Sequence, residues 1–206
     1  MVVKYDLLLA LGAYLAVLAI SFYAAIGCGY GEAESAHLAD SAWMYVRRLL
    51  LLGCAAVLPL ATGSRGLFGY GWRISLRWAV IAAIIGVATG FVNPGGFDLR
   101  HVSALLLACF HALAMELFFR AYLITTLSGT FRTFWPPVII SALLYGIFYL
   151  SVWTIWQRPP GENVFFVCLF TCIGLVYGYC YKKSGSFLVP WLAHFLGVLQ
   201  YKLLLP

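Results

Sequence analysis

Acidic residues are scarce in this chain: seven Asp and Glu stand against thirteen Lys and Arg in 206 residues, and only 10% of the chain is charged. A soluble domain carries about 25% charged residues, so a water-covered globular surface is excluded. Segments of about ten residues with alternating polarity are also missing, which excludes a transmembrane β-barrel. No pair of cysteines has zinc-type spacing with flanking histidines, although six cysteines are present (Cys28, Cys54, Cys109, Cys168, Cys172 and Cys180). All but Cys28 lie in apolar runs, where cysteine packs as a small hydrophobe. No internal repeat or soluble segment interrupts the chain, so residues 1–206 read as a single transmembrane domain.

What is present is apolar: 64% of the residues are hydrophobic and the mean hydropathy is +0.94. The fold class expected is all-α, a polytopic transmembrane bundle of about seven helices. The runs are Tyr5–Gly27, Val46–Ala61, Trp78–Val92, His101–Leu127, Val138–Trp156, Val164–Tyr181 and Phe187–Leu204. Turn signals separate them at Gly63-Ser64-Arg65-Gly66, Asn93-Pro94-Gly95-Gly96, Pro136-Pro137, Pro159-Pro160-Gly161 and Ser184-Gly185-Ser186. No small-residue cleavage site clearly follows the first run, so no cleavable signal peptide is expected.

Loop charges suggest an orientation. One side receives Lys4, Arg65, Arg73, Arg77, Arg132, Lys182 and Lys183 with the single acid Asp6. The other receives Glu32, Glu34, Asp40, Asp98 and Glu162 with Arg47, Arg48, Arg100, Arg158 and Lys202. The basic excess places the N-terminus of an integral membrane protein in the cytoplasm; the expected location is a bacterial inner membrane. The net charge of +6 fits membrane topology and anionic-lipid contact, with the lipid bilayer as partner and no nucleic acid.

Glu116 and Arg120 form an acid–base pair one turn apart inside an apolar run. Intramembrane charge is costly and is expected to face the bundle interior, so it marks a candidate site. A Glu four residues before an Arg is the favourable order for a same-helix ion pair. Helical rise puts Glu116 about 16 Å from the Leu127 end, Tyr149 about 16 Å in from Val138, and His194 about 10 Å in from Phe187. Three polar groups from three helices thus reach a similar depth. His111 lies four residues before Met115, on its helical face, and reads first as an interhelical hydrogen-bonding histidine.

Three motifs in this order resemble the CPBP family of membrane proteins, which includes type II CAAX prenyl endopeptidases and bacteriocin-processing or immunity proteins. Met115–Leu123 (MELFFRAYL) is similar to the family's EExxxR motif. Ser141–Tyr149 (SALLYGIFY) stands where the family has FxxxH. Gly174–His194 carries a similar Gly-rich helix, Ser-Gly-Ser loop and final HxxxN segment. The resemblance implies a CPBP-like core over 101–204. It further implies that the first glutamate and the FxxxH histidine activate water, while the last His and Asn stabilise the oxyanion.

The departures fall on those positions. Met115 replaces the first glutamate, Tyr149 the FxxxH histidine, and Val198 the final asparagine; Tyr145 stands for the Phe. Methionine cannot accept a proton near neutral pH, and tyrosine, with a pKa near 10, is a poor base. Losing an oxyanion donor costs other hydrolases about 3–4 kcal/mol. Glu116, Arg120 and His194 remain as remnant catalytic positions, with Tyr149 and His111 beside them.

The expected function is a non-proteolytic binding or assembly subunit, engaging a membrane-protein partner or a transmembrane peptide. The alternative is a CAAX-type endopeptidase with a rearranged site built on Glu116, His111 and His194. A transporter would show broken helices in paired halves, and no such repeat is visible. No cofactor is expected, and a His111, Glu116 and His194 metal site has no supporting motif spacing.

Overall fold

With few polar side chains to share and no water in a bilayer core, the backbone of this chain must satisfy its own hydrogen bonds, which favours helices. A computed structural model describes residues 2–27, 36–62, 67–92, 97–98, 100–155, 159–199 and 201. Among these, seven helices follow in chain order. They are α1 (Val2–Gly27), α2 (Ala36–Thr62), α3 (Leu76–Val92), α4 (Val102–Thr130), α5 (Trp135–Ile155), α6 (Pro160–Ser184) and α7 (Leu188–Gly197). A short 3-10 turn, Leu67–Tyr70, precedes α3. The described residues contain no strand, only an isolated parallel bridge between Phe97 and Leu199.

The all-α bundle expected from composition is what forms, and the protein is an integral membrane protein. Among the described residues three helices are long and apolar enough to cross a bilayer: α1 over Asp6–Tyr23, α4 over Val102–Thr130 and α6 over Pro160–Ser184. Two boundaries differ widely from expectation. The second helix begins at Ala36, ten residues before Val46, so Arg47 and Arg48, counted above among the loop charges, lie well inside it and not at its start. The last helix ends at Gly197 and not at Leu204. Its ten residues rise about 15 Å, half of a hydrocarbon core of about 30 Å. The cause is tertiary: Val198 leaves helical geometry (φ −96, ψ 3), and its carbonyl accepts the N–H of the distant Phe97 at 2.8 Å. The Gly63–Gly66 and Asn93–Gly96 turn signals, Cys28 with most of the Gly27–Gly31 segment, and the loop charges Glu32, Glu34, Arg65, Arg158 and Lys202 lie outside the described residues.

Proline and glycine act at the helix ends and contacts. Pro136 and Pro137 fall in the first turn of α5, and Pro160 opens α6, where a missing N–H costs nothing. Gly185 closes α6 in the left-handed region (φ 68), its N–H donating to Tyr181 O at 2.9 Å. Ser186 Oγ donates to Gly71 O at 2.8 Å, and the Phe187 N–H to Tyr70 O at 3.2 Å, which stitches the 3-10 turn to the α6–α7 turn. A Cβ on Gly86 would lie 2.6 Å from Ala193 O, so α3 and α7 touch backbone to backbone. On Gly174 it would meet Ala142 Cα at 3.1 Å, setting the α5–α6 approach.

The centre of the bundle is α4. Every residue from Ala114 to Ile124 is buried, surrounded by side chains such as Tyr14 of α1, Leu51 of α2, Phe148 of α5 and Phe166 of α6.

Candidate polar site in the bundle core

Within α4 the backbone passes from α to π geometry at Leu117 and returns at Thr125. Wider i→i+5 segments of this kind are uncommon and frequent at functional sites. Glu116 is the last residue before the change, and Arg120 follows inside it. Both side chains are fully buried, with Arg120 Nε 3.1 Å from Glu116 Oε2. That contact is an ion pair by distance alone. The Nε–H is not aligned on the oxygen, and Oε2, Nε and Nη2 all lack a hydrogen-bond partner. The guanidinium is held instead by Ser141 Oγ, 3.5 Å from Nη1, and by the Tyr145 ring, whose centroid lies 4.4 Å from its central carbon. Ser141 Oγ in turn donates to Phe119 O at 2.7 Å, tying α5 to α4.

The second carboxylate oxygen meets α7. His194 Nδ1 lies 2.7 Å from Glu116 Oε1. From the other ring nitrogen a series of contacts leads away: His194 Nε2 to Tyr145 Oη at 3.5 Å, Tyr145 Oη to Tyr149 Oη at 3.4 Å, and Tyr149 Oη to His111 Nε2 at 3.5 Å. Arg48 of α2 completes it, its Nε donating to His111 Nδ1 at 2.9 Å. The two histidine rings stand edge to face, 5.3 Å between centroids, and the tyrosines occupy the space beside them. Tyr177 adds a third ring, 5.7 Å from that of His194.

All five residues singled out from sequence (Glu116, Arg120, His194, Tyr149 and His111) are therefore brought into one cluster. Sequence reasoning misses Ser141, Arg47 and Arg48 as members, and names Tyr145 at the motif's Phe position but not as a site residue. Ser141 and Tyr145 lie on the face of α5 that carries Tyr149, four residues apart, a spacing visible in the sequence. Arg47 and Arg48 are counted above among the loop charges, yet they are 2% and 4% exposed. Arg47 Nη1 donates to Ser151 Oγ at 3.0 Å, and its guanidinium carbon sits 4.2 Å from the Phe148 centroid. Two arginines abutting a long leucine run were the available signal. The buried side chains among the described residues thus include three arginines and one carboxylate.

The departures from the motif also have places. Met115 is fully buried in the main apolar cluster with Phe118, Phe119 and their neighbours. Val198 packs with Ala108 and Leu199, and its N–H donates to His194 O at 3.0 Å. Among the described residues no group of three or more His, Cys, Asp or Glu is arranged to hold a metal ion, and His111 Nδ1 is already taken by Arg48. Outside the bundle core, Asp98 is hydrogen-bonded by the Arg100 side chain and N–H, which lowers its pKa to about 2.

Chemically, the cluster joins a carboxylate to an imidazole at hydrogen-bond distance, which suits proton exchange or fixed orientation, in a region with little exposure to water. Residues 98–199 match the family model described as type II CAAX prenyl endopeptidase Rce1-like. No curated protein matches the chain, and no solved structure does.

Proposed function

We propose, from the premise that residues 98–199 form an Rce1-like domain of the type II CAAX prenyl endopeptidases, that this protein uses the scaffold without the proteolysis. It acts as a binding or assembly subunit for another membrane protein or a transmembrane peptide. The observation that carries this reading is the engagement of Glu116. One oxygen faces His194 at 2.7 Å and the other faces Arg120 at 3.1 Å, while the position for a base one residue earlier is Met115, closed in apolar side chains. A carboxylate held between an imidazole and a guanidinium is suited to holding helices together, and a methionine cannot activate water.

The orientation goes with this reading. Arg73 and Arg77 lie at the start of α3, Arg132 follows α4, and Lys182 and Lys183 end α6, on the side where the 3-10 turn, the α6–α7 turn and the end of α4 meet, Lys182 Nζ donating to Ser128 Oγ at 2.9 Å. That side is assigned to the cytoplasm of a bacterial inner membrane, together with the N-terminus.

A second reading has its own support. Glu116 and His194 form a bonded pair, and the His111 ring is 5.3 Å from that of His194, the makings of a rearranged endopeptidase site. Incubation of the purified protein with a prenylated or transmembrane peptide separates the two. The binding reading expects no cleavage above the level of Glu116→Gln, and stoichiometric co-purification with other membrane subunits. Cleavage lost in a folded Glu116→Gln variant would establish the endopeptidase instead.

A further inference from the structure

Away from the buried cluster, Phe134, Trp135 and Tyr179 form a box in which every pair of rings is in contact. Phe134 stands edge to face with Trp135 at 5.2 Å and with Tyr179 at 5.9 Å, and Trp135 stacks on Tyr179 at 6.1 Å. The box joins the start of α5 to the last turns of α6, and Trp135 and Tyr179 are exposed. Two ammonium groups gather on it. Lys182 Nζ and Lys183 Nζ each lie 5.5 Å from the Phe134 centroid, and Lys183 Nζ also lies 5.8 Å from that of Tyr179. Arg132, also exposed, stands two residues before Phe134.

Lysines at the end of α6 offset the negative pole of the helix, but that pole amounts to about half a charge, and two lysines exceed it. Among the described residues no carboxylate pairs with Lys182, Lys183 or Arg132; the ion pairs formed are those of Asp98 and Glu116. Glu162, the acid of α6, stands at the opposite end of that helix. Surplus positive charge thus coincides with exposed Trp and Tyr rings, the residues that favour the boundary between membrane and water.

From the box an apolar seam runs along the bundle. On α5, Trp135, Ile139 and Leu143 are exposed at four-residue spacing; on α6, Tyr179, Val176 and Cys172 are exposed at spacings of three and four. The Trp135–Tyr179 stack sets the two rows side by side at their head. From Trp135 to Leu143 α5 rises about 12 Å, most of the hydrocarbon depth of one leaflet, about 15 Å.

We propose that this box, with Lys182 and Lys183, is a binding site for an anionic phospholipid, its phosphate on the two ammonium groups and an acyl chain along the α5–α6 seam. A free phosphate would engage the cations and leave the seam unused, as would an acidic segment of another protein. A phospholipid matches both parts in the order in which they occur. The site shares no residue with the Glu116 cluster, so it holds whether or not the protein cleaves peptides.

Native mass spectrometry of the full chain in detergent, stripped of co-purified lipid, tests this with phosphatidylglycerol and phosphatidylcholine of identical acyl chains. Phosphatidylglycerol should bind the wild type more tightly. Lys183→Gln should weaken it about fivefold, and adding Lys182→Gln should weaken it about fivefold again, with phosphatidylcholine unchanged in both. Lys183→Gln decides alone if the double variant does not fold, since Lys182 also bonds Ser128 of α4. Arg73→Gln with Arg77→Gln, at the start of α3, should keep wild-type affinity, and inorganic phosphate at the concentration of the lipid should not displace it. Equal binding of the two lipids, or unchanged phosphatidylglycerol binding in Lys183→Gln, overturns the proposal. So does displacement by phosphate, which would make the ligand a free anion. An equal loss in the Arg73 and Arg77 variant also overturns it, since the attraction would then belong to the whole basic surface.

Discussion

His194 and Glu116, seventy-eight residues apart in the chain, meet at 2.7 Å with side chains 3% and 0% exposed. This contact joins the short last helix to the central one, and it uses the only buried carboxylate among the described residues.

Removing that charge strands a guanidinium. Glu116→Gln should lower stability by about 3–5 kcal/mol, the usual cost of breaking a buried pair. Adding Arg120→Met should recover part of the loss. Unfolding of detergent-solubilised protein in a double-mutant cycle measures both, and strict additivity would show that the two side chains are not coupled.

Met115→Glu places a second carboxylate in the main apolar cluster, one residue from Glu116. Two carboxylates that close are hard to ionise together, and burial adds to the penalty. The variant should express at lower yield and melt earlier than wild type. A wild-type melting curve would mean that water already reaches position 115.

Gly86→Ala tests the α3–α7 contact. The new methyl meets Ala193 O and Leu196 Cβ, both at 2.6 Å. Overpacking outweighs the helix-propensity gain, for a net loss of about 1–2 kcal/mol. Gly12→Ala, where nothing lies within 4 Å, should be neutral or slightly stabilising in the same melt.

Asp98 gives a pH signature. Its folded pKa is about 2, chiefly through hydrogen bonds from Arg100, below an ordinary value of about 3.9. The stability from this pairing is present above the ordinary value and is lost as pH falls through about 2. Carboxyl 13C NMR should find the low midpoint in wild type and a rise towards the ordinary range in Arg100→Gln.

The sequence made the location of the cluster legible because helical rise is fixed. Counting residues from Leu127, Val138 and Phe187 placed Glu116, Tyr149 and His194 at comparable depths, and these residues do lie together. Arg47 and Arg48 were not legible as core residues, since a charged pair at the edge of an apolar run looks like the end of a helix. Their burial depends on Phe148, Ser151 and His111, which are sixty or more residues away. The π segment has no sequence signature at this length, and the stop at Gly197 is decided by the Phe97–Val198 bond across the fold.

The unbroken burial of residues 114–124 sets a limit on evolution as well as on structure. A helix at the edge of a bundle tolerates change on its outer side, so its permitted substitutions recur with the helical period. This stretch has no outer side. A saturation library should find it intolerant at every position, a solid block where α1 shows a repeating pattern. Any new partner must be accommodated by changes in the surrounding helices, while the central one stays as it is.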